Sequence, residues 1–417
     1  MKTTLLIFLG CIIGFCQAQT QSKRALFIGN SFTYYNNLPG MVAAIASSCG
    51  DELVYDASTG GGMGLENHVD NTTTLAKIAQ GNWDYVILQE RSQTPAFPED
   101  FVEANVYPYA ATLNNIIQTQ NPCAETAFFI TWAWQNGDPY NCEAFPPICT
   151  YEGMDDLVTQ RYHTMAEQNQ AILSPAGPVW RYLRGNYPSL NLYSSDGSHP
   201  NVAGSFAAAC CFYTVLFRKD PMDITYNPGL SEAEANLIKQ ATRVIVYNNL
   251  TTWRVGWYDP VAHFETTGLG MGQYQFTNLS ANAEVYHWDF GDGQQSTEAN
   301  PVHTYTVPGN YTVTLTANHC DREDTSSIAL ETNLSVNSLS KTTVQWFPNP
   351  TAGWVTISGA NPIARKEIYA LNGQLLEQIE NGEPRLDLAD YPEGVYVIRI
   401  VDTGHNTLVT KIVKKNE

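Results

Sequence analysis

Between residues 24 and 220, short apolar runs alternate with stretches of helical period, so strands and helices are predicted in turn. The run Ala25-Leu26-Phe27-Ile28 stops at Gly29, and further strand candidates lie at 52–57, 84–89, 126–132 and, briefly, 172–175. Runs with so little polar alternation suit strands covered on both faces. Between them, 39–49 reads as a helix, with Pro39 near its start and Gly50 just past its end. A helical pattern at 65–80 follows the glycine turn of 60–64, and a long helix is predicted from Met154. The stretch 201–217 is an apolar helix, and 231–247 opens on Ser-Glu-Ala-Glu, a capping sequence. Residues 135–153 form an irregular insertion. The expected fold class is α/β, a three-layer, doubly wound parallel sheet over 21–252. After about Trp257 the helical period vanishes, and Thr, Val, Tyr and Asn alternate between turn signals, as in small all-β sandwiches.

A length of 417 residues calls for two or three domains, and 43% hydrophobic with 12% aromatic residues is ample for their cores. The formal net charge of −19 argues against nucleic acid or an anionic membrane surface as partner. The first residues predict an export address. Met1-Lys2, an apolar run over 5–15 and Gln17-Ala18 read as a secretory signal at 1–18, too short to span a bilayer. Cys11 and Cys16 leave with it, and no later segment is apolar for long enough to cross a membrane. Seven cysteines remain, and in an oxidising compartment they favour disulfides over metal ligation. Cys142 and Cys149, bracketing a short proline-containing loop, are the preferred pair. An odd count leaves at least one thiol free or paired outside the chain. Cys210-Cys211, in an apolar helix pattern, reads as buried and inert.

The chemistry concentrates where the first strand ends. Gly29-Asn30-Ser31 puts a hydroxyl at the carboxyl edge of the sheet, where open α/β folds bind ligands. Asp196-Gly197-Ser198-His199-Pro200 supplies an imidazole and a carboxylate three residues apart, the partners that turn a serine into a nucleophile. Together these stretches resemble the first and last blocks of the SGNH (GDSL-like) hydrolase family, with Gly-Asn-Ser for Gly-Asp-Ser. The resemblance implies a Ser31–His199–Asp196 triad, an acyl-enzyme intermediate, no cofactor and no metal. A tetrahedral intermediate needs donors for its oxyanion. Ser31 N–H is one candidate, and the family's second block places a glycine N–H where 60–64 falls, with Gly62 favoured and Gly61 next. The third block departs from the family's Gly-x-Asn-Asp, reading Leu88-Gln89-Glu90-Arg91-Ser92-Gln93. Either glutamine amide could donate, with Gln89 preferred over Gln93. Weaker candidates have plainer readings: His68 as a surface helix histidine, Trp132, Trp134 and Trp180 as core, His163 with Glu167 as a solvated face, Asp289 and Asp292 as turn formers.

Two further resemblances follow. Trp288-Asp289-Phe290-Gly291-Asp292-Gly293, Pro301-Val302-His303-Thr304-Tyr305 and 308–315 resemble the PKD domain, an immunoglobulin-like sandwich, over 260–332. Trp346-Phe347-Pro348-Asn349-Pro350, 368–373, 388–396 and 409–415 resemble the C-terminal sorting domain of the Bacteroidetes type IX (Por) secretion system, over 343–417. That resemblance implies handling by the type IX machinery, passage through the periplasm and across the outer membrane, then release or surface attachment. The resulting expectation is a secreted serine esterase removing acyl groups, O-acetyl first among them, from a glycan. The alternative is an inactive surface adhesin or carbohydrate-binding protein.

Overall fold

The computed structural model describes residues 20–332, 344–358, 362–371, 373–380, 382–403 and 407–415. The predicted signal segment lies outside them. The chain divides into two units, Met1–Asp259 and Pro260–Glu417.

In the first unit five parallel strands, β1 (Ser22–Gly29), β2 (Glu52–Thr59), β3 (Tyr85–Leu88), β4 (Glu125–Ile130) and β5 (Ile172–Pro175), lie in the order β2-β1-β3-β4-β5. This is the flavodoxin-like order, with its switch point between β1 and β3. Every residue of β3, β4 and β5 is buried, while edge strand β2 leaves Glu52, Val54 and Tyr55 exposed. The helices are α1 (Ser31–Tyr34), α2 (Leu38–Ser48), α3 (Leu65–His68), α4 (Thr72–Ile78), α5 (Glu99–Asn105), α6 (Tyr107–Gln120), α7 (Tyr151–Gln168), α8 (Ala176–Asn186), α9 (Val202–Phe217) and α10 (Glu232–Ile245). Side chains alternate faces along a strand, and two neighbours on β4 show the layering. Phe129, with Phe27 of β1, meets Phe212 of α9, whereas Phe128 meets Tyr162 of α7. Helix α9 is buried from Ala203 to Phe217, as expected of a helix apolar all round. Its Gly204 admits no side chain, because a Cβ there would lie 2.3 Å from Leu192 O and 2.4 Å from the Trp180 ring.

The single helix predicted at 65–80 is broken in two. Asn71 caps α4, its side chain accepting from Thr74 N, and this local bond ends the first helix after one turn. Helices α5, α6 and α8 have no counterpart in the sequence analysis. Prolines at 98, 108, 175 and 178 punctuate their first turns, positions a helix tolerates but a pattern reader takes as breaks. Cys142 and Cys149 are disulfide-bonded, while Cys49, Cys210 and Cys211 are free, and burial pushes the thiols of the adjacent pair up.

Among the described residues the strands of the second unit pair antiparallel. Strands 264–270, 273–278 and 302–304 form one sheet and 285–289, 295–296, 309–319 and 322–332 another, around Phe264, Phe276, Trp288, Phe290, Tyr305, Val313 and Leu315. A three-stranded and a four-stranded sheet follow between 345 and 414, with a separate core that includes Val355, Ile368, Ile398 and Ile412. Asp289 and Asp292 shape the turn between them, accepting from Gly291 N at 2.8 Å and Gln294 N at 3.0 Å.

Candidate active site

Strand β1 ends at Gly29, where a side chain would crowd those of Gln89 and Thr33. A Cβ would stand 2.5 Å from Gln89 Oε1 and 2.6 Å from Thr33 Oγ1. Asn30 then turns the chain into α1. Its Oδ1 accepts from Phe32 N at 3.1 Å, and its backbone oxygen accepts from Thr33 and Tyr34 N at 3.0 and 3.1 Å. Its Nδ2 donates to Met63 O at 2.8 Å and Glu90 O at 3.4 Å. Ser31 is thereby the first residue of a helix with its side chain left half-buried.

The loop from Ser194 to Asn201 brings the other two side chains. Ser194 N donates to His199 O at 2.8 Å, and Trp132 Nε1 to Ser198 O at 3.0 Å. Gln135 N donates to Gly197 O at 2.8 Å, and the turn needs glycine there, since its φ is +70°. Asn36 Nδ2 ties the Ser31 segment to this loop, reaching Pro200 O at 3.1 Å and Ser205 Oγ at 2.9 Å. The outcome is a continuous relay. Ser31 Oγ lies 2.8 Å from His199 Nε2, and His199 Nδ1 lies 2.6 Å from Asp196 Oδ2. Asp196 Oδ1 accepts from Ser198 and His199 N, each at 2.9 Å. Partial burial pushes its carboxyl up, but the Ser198 N–H and both groups of His199 outweigh that and hold it below the usual range.

The glycine turn lies against this corner. Gly60 N donates to Gly29 O at 3.4 Å, and Gly62 has a φ of +69°. Arg91 Nε grips Gly62 O at 2.6 Å, and its Nη2 meets Asn67 Oδ1 at 2.8 Å and the carboxylate of Glu66. Among the described residues the N–H groups of Ser31, Gly61 and Gly62 have no protein acceptor.

The two glutamines part company. Gln89 is fully buried, and its Oε1 accepts from Asn30 N and Thr33 Oγ1, both at 2.9 Å, while its Nε2 is directed at Glu90 O. That amide sits behind the Asn30–Thr33 turn and holds it, with its Nε2 engaged, which corrects the expectation that it is free to face an oxyanion. Gln93 is half-buried, and its Oε1 accepts from Ser92 Oγ at 3.0 Å. Trp134 Nε1 donates to the same hydroxyl at 3.0 Å, and Gln93 Nε2 keeps no protein partner among the described residues.

His68 is not the surface residue expected. It is fully buried, with Nε2 3.0 Å from Gly29 O and Nδ1 2.8 Å from Thr74 Oγ1. Burial lowers its pKa, so the neutral ring donates from Nε2 and accepts from Thr74, whose hydroxyl in turn accepts from Ser58 Oγ at 2.8 Å. Trp132 and Trp180 are buried and stacked at 3.8 Å, whereas Trp134 is half-buried beside Tyr140, which is 84% exposed. His163 is half-buried against Trp253. Two residues that no motif marked complete the site: Tyr35, stacked on His199 with centroids 4.3 Å apart, and the buried Glu90. Among the described residues no group of three or more His, Cys, Asp or Glu could hold a metal ion.

Comparison with known proteins agrees with this organisation. The family model of a domain of unknown function (DUF4886) matches residues 51–244, that of the PKD domain 272–333, and that of the secretion system C-terminal sorting domain 345–415. The Pre-pro-metalloprotease PrtV of Vibrio cholerae is 43% identical over 76 residues, which are 18% of this chain and 8% of that protein. The chain thus spans less than a tenth of that curated relative's length. A DUF4886 family protein from Bacteroides uniformis is 17% identical, with a TM-score of 0.46 over 55% of this chain and 95% of that one. A protein from Slackia heliotrinireducens proposed to be an SGNH hydrolase is 24% identical, with a TM-score of 0.39 over 47% of this chain and 99% of that one. The sorting domain implies handling by the type IX secretion route, and no helix among the described residues is long and apolar enough to cross a membrane. The chain therefore carries, in order, regions that match the models of DUF4886, of the PKD domain and of the secretion-system C-terminal sorting domain.

Proposed function

We propose that the first unit is a serine esterase that removes acyl groups, O-acetyl foremost, from an extracellular glycan. One observation carries the reading: Ser31 Oγ, the His199 ring and Asp196 stand in hydrogen-bonded series at 2.8 and 2.6 Å. In the proposed cycle Ser31 Oγ attacks the ester carbonyl as His199 Nε2 takes its proton. Asp196 holds the ring by Nδ1 and stabilises the imidazolium. The oxyanion is received by the N–H groups of Ser31 and Gly62, with Gly61 as the neighbouring alternative and the Gln93 amide as a third donor. The imidazolium returns its proton to the leaving alcohol oxygen. Water, deprotonated by the same ring, then attacks the acyl-Ser31 carbonyl and regenerates the hydroxyl.

The substrate class rests on context. A sorting domain sends the chain outside the cell, where polymeric glycans are met, and the Trp134–Tyr140 corner offers aromatic surface beside Ser92 and Gln93. The test is turnover of p-nitrophenyl acetate and covalent labelling by a fluorophosphonate, with Ser31→Ala as control. Both are expected in the parent and lost in the variant. A parent that neither turns over nor labels would return the chain to the adhesin reading.

A further inference from the structure

We propose that Glu90 is a positioning residue: its buried carboxylate fastens the end of the glycine turn to the nucleophile corner, and its protonation releases one of the two fastenings. This rests on the esterase reading of the Ser31 site only for its catalytic consequence. The geometry stands by itself.

Glu90 is fully buried at the end of β3, and every polar atom it has is engaged. Its N–H donates to Tyr162 Oη at 3.0 Å, and its backbone oxygen receives Asn30 Nδ2 at 3.4 Å. Its side chain turns the other way. Oε2 accepts from Leu65 N at 2.9 Å, and Oε1 accepts from Arg91 N at 2.7 Å. Leu65 directly follows the glycine turn, and a Cβ on Gly64 would lie 2.4 Å from Glu90 Oε1, so the loop backbone rests on the carboxylate. One residue thus touches the nucleophile turn with its main chain and the glycine turn with its side chain. Its neighbour Arg91 grips Gly62 O at 2.6 Å, and Asn30 grips Met63 O at 2.8 Å, so the turn is held at three successive places.

The bonding also says which form of the carboxyl fits. Both side-chain partners are N–H donors, so a carboxylate satisfies both, whereas a protonated group would set its O–H against one of them and lose that bond. The charged groups around it give little compensation for burial. Glu66 of α3 repels the charge, Arg91 attracts it while its guanidinium is spent on Gly62, Asn67 and Glu66, and Tyr162 of α7 is neutral. His68 of α3 is occupied by Gly29 and Thr74. Burial pushes the Glu90 carboxyl up to about 7, with the Leu65 and Arg91 N–H groups opposing, so the change of form falls within the working range of pH.

The test is amide hydrogen exchange over residues 60–67 of the whole chain between pH 5.5 and 8.5, corrected for intrinsic rates. Protection is expected to rise several-fold through about pH 7 in the parent and to stay flat in Glu90→Gln, which keeps the shape but not two acceptors. In parallel, the ratio of parent to Glu90→Gln kcat on p-nitrophenyl acetate should climb with pH to roughly tenfold at unchanged KM, as misplacement of a transition-state donor predicts. Glu90→Asp, keeping the charge, should recover part of the rise. A parent whose 60–67 protection does not change through pH 7 overturns the proposal, even if no variant folds. A parent with the protection change but no turnover or labelling upholds it while sinking the esterase reading.

Discussion

The ring of Tyr35 lies against that of His199, centroids 4.3 Å apart and planes within 20° of parallel. A second aromatic neighbour of the imidazole is Phe32, at 5.4 Å and tilted. The imidazole is thus held by aromatic contact as well as by Asp196. In the proposed cycle a stacked ring would also stabilise the imidazolium formed as Ser31 gives up its proton. Tyr35→Ala should lower kcat/KM on p-nitrophenyl acetate about tenfold, while Tyr35→Phe, which keeps the face, should stay near the parent. Equal losses in both variants would mean that the phenol, not the stack, matters.

The two glutamines should respond to truncation in opposite ways. Gln93→Ala removes an amide with an unspent donor at the surface, so kcat should fall roughly 10²- to 10³-fold with thermal stability unchanged. Gln89→Ala strips the acceptor from Asn30 N and Thr33 Oγ1 in a fully buried place, at a cost of about 1–3 kcal/mol in stability. Thermal melts and steady-state kinetics of the same two proteins check both. A Gln93 variant with full activity would remove it from the oxyanion site.

This divergence also shows how far the sequence could be read. The serine at a strand end and the carboxylate three residues before a histidine are local signals, and so is the alternation that builds the five-stranded sheet. The glutamine choice is not local. Gln89 N still bonds Ile28 O at 2.9 Å, so strand geometry persists one residue further and turns the side chain inward. His68 reads as a surface residue, and Glu90 carries no signal of its role, for a related reason. A four-residue helix folded under the nucleophile turn has no periodicity to read, and a buried acid is invisible until its N–H donors are in place. Asparagine at position 30, where the block it resembles has aspartate, becomes intelligible only with Met63 O in view, since an aspartate could not donate to it.

Asn30→Asp tests that relationship. The cap on Phe32 N survives, because a carboxylate accepts as well as an amide, but the bonds to Met63 O and Glu90 O are lost. The glycine turn should then exchange its amides faster, and kcat should drop about tenfold with KM little changed. Retained activity with unchanged exchange would show that the Met63 bond is dispensable.

Tyr140 offers a way to separate substrate size from chemistry. Asp138, fully buried, holds its segment by accepting from Tyr140 N at 2.9 Å and Asn141 Nδ2 at 2.7 Å, and the Cys142–Cys149 disulfide closes the loop behind it. An aromatic ring presented this rigidly is suited to contact with a flat, partly apolar ligand such as a sugar ring. Tyr140→Ala should raise KM for an acetylated polysaccharide several-fold while leaving p-nitrophenyl acetate untouched. An equal effect on both would assign the loop to folding instead.

Two buried acids lower stability as pH rises. Burial pushes Glu90 up to about 7, and it does the same to Asp155 against the opposing charge of Arg181. Each pKa is higher in the folded chain than in the unfolded one, so each contribution is complete below the ordinary carboxylate range. It is lost as pH rises through about 7. For Glu90 the span amounts to about 3 kcal/mol. Asp196 acts in the opposite sense, its lowered pKa adding stability that disappears in acid, but its carboxylate is half exposed and the effect small. Burial lowers the pKa of His68 and His163, which raises stability with pH over part of the same range. Relative to Glu90→Gln, the melting temperature of the parent should therefore decline from about pH 5 to pH 8, with turnover slower in the variant. The same carboxylate would then cost stability in the form that best orders the site, which is the trade expected where a functional group is held in an unfavourable place. A difference in melting temperature between parent and variant that stays constant across that interval would contradict it.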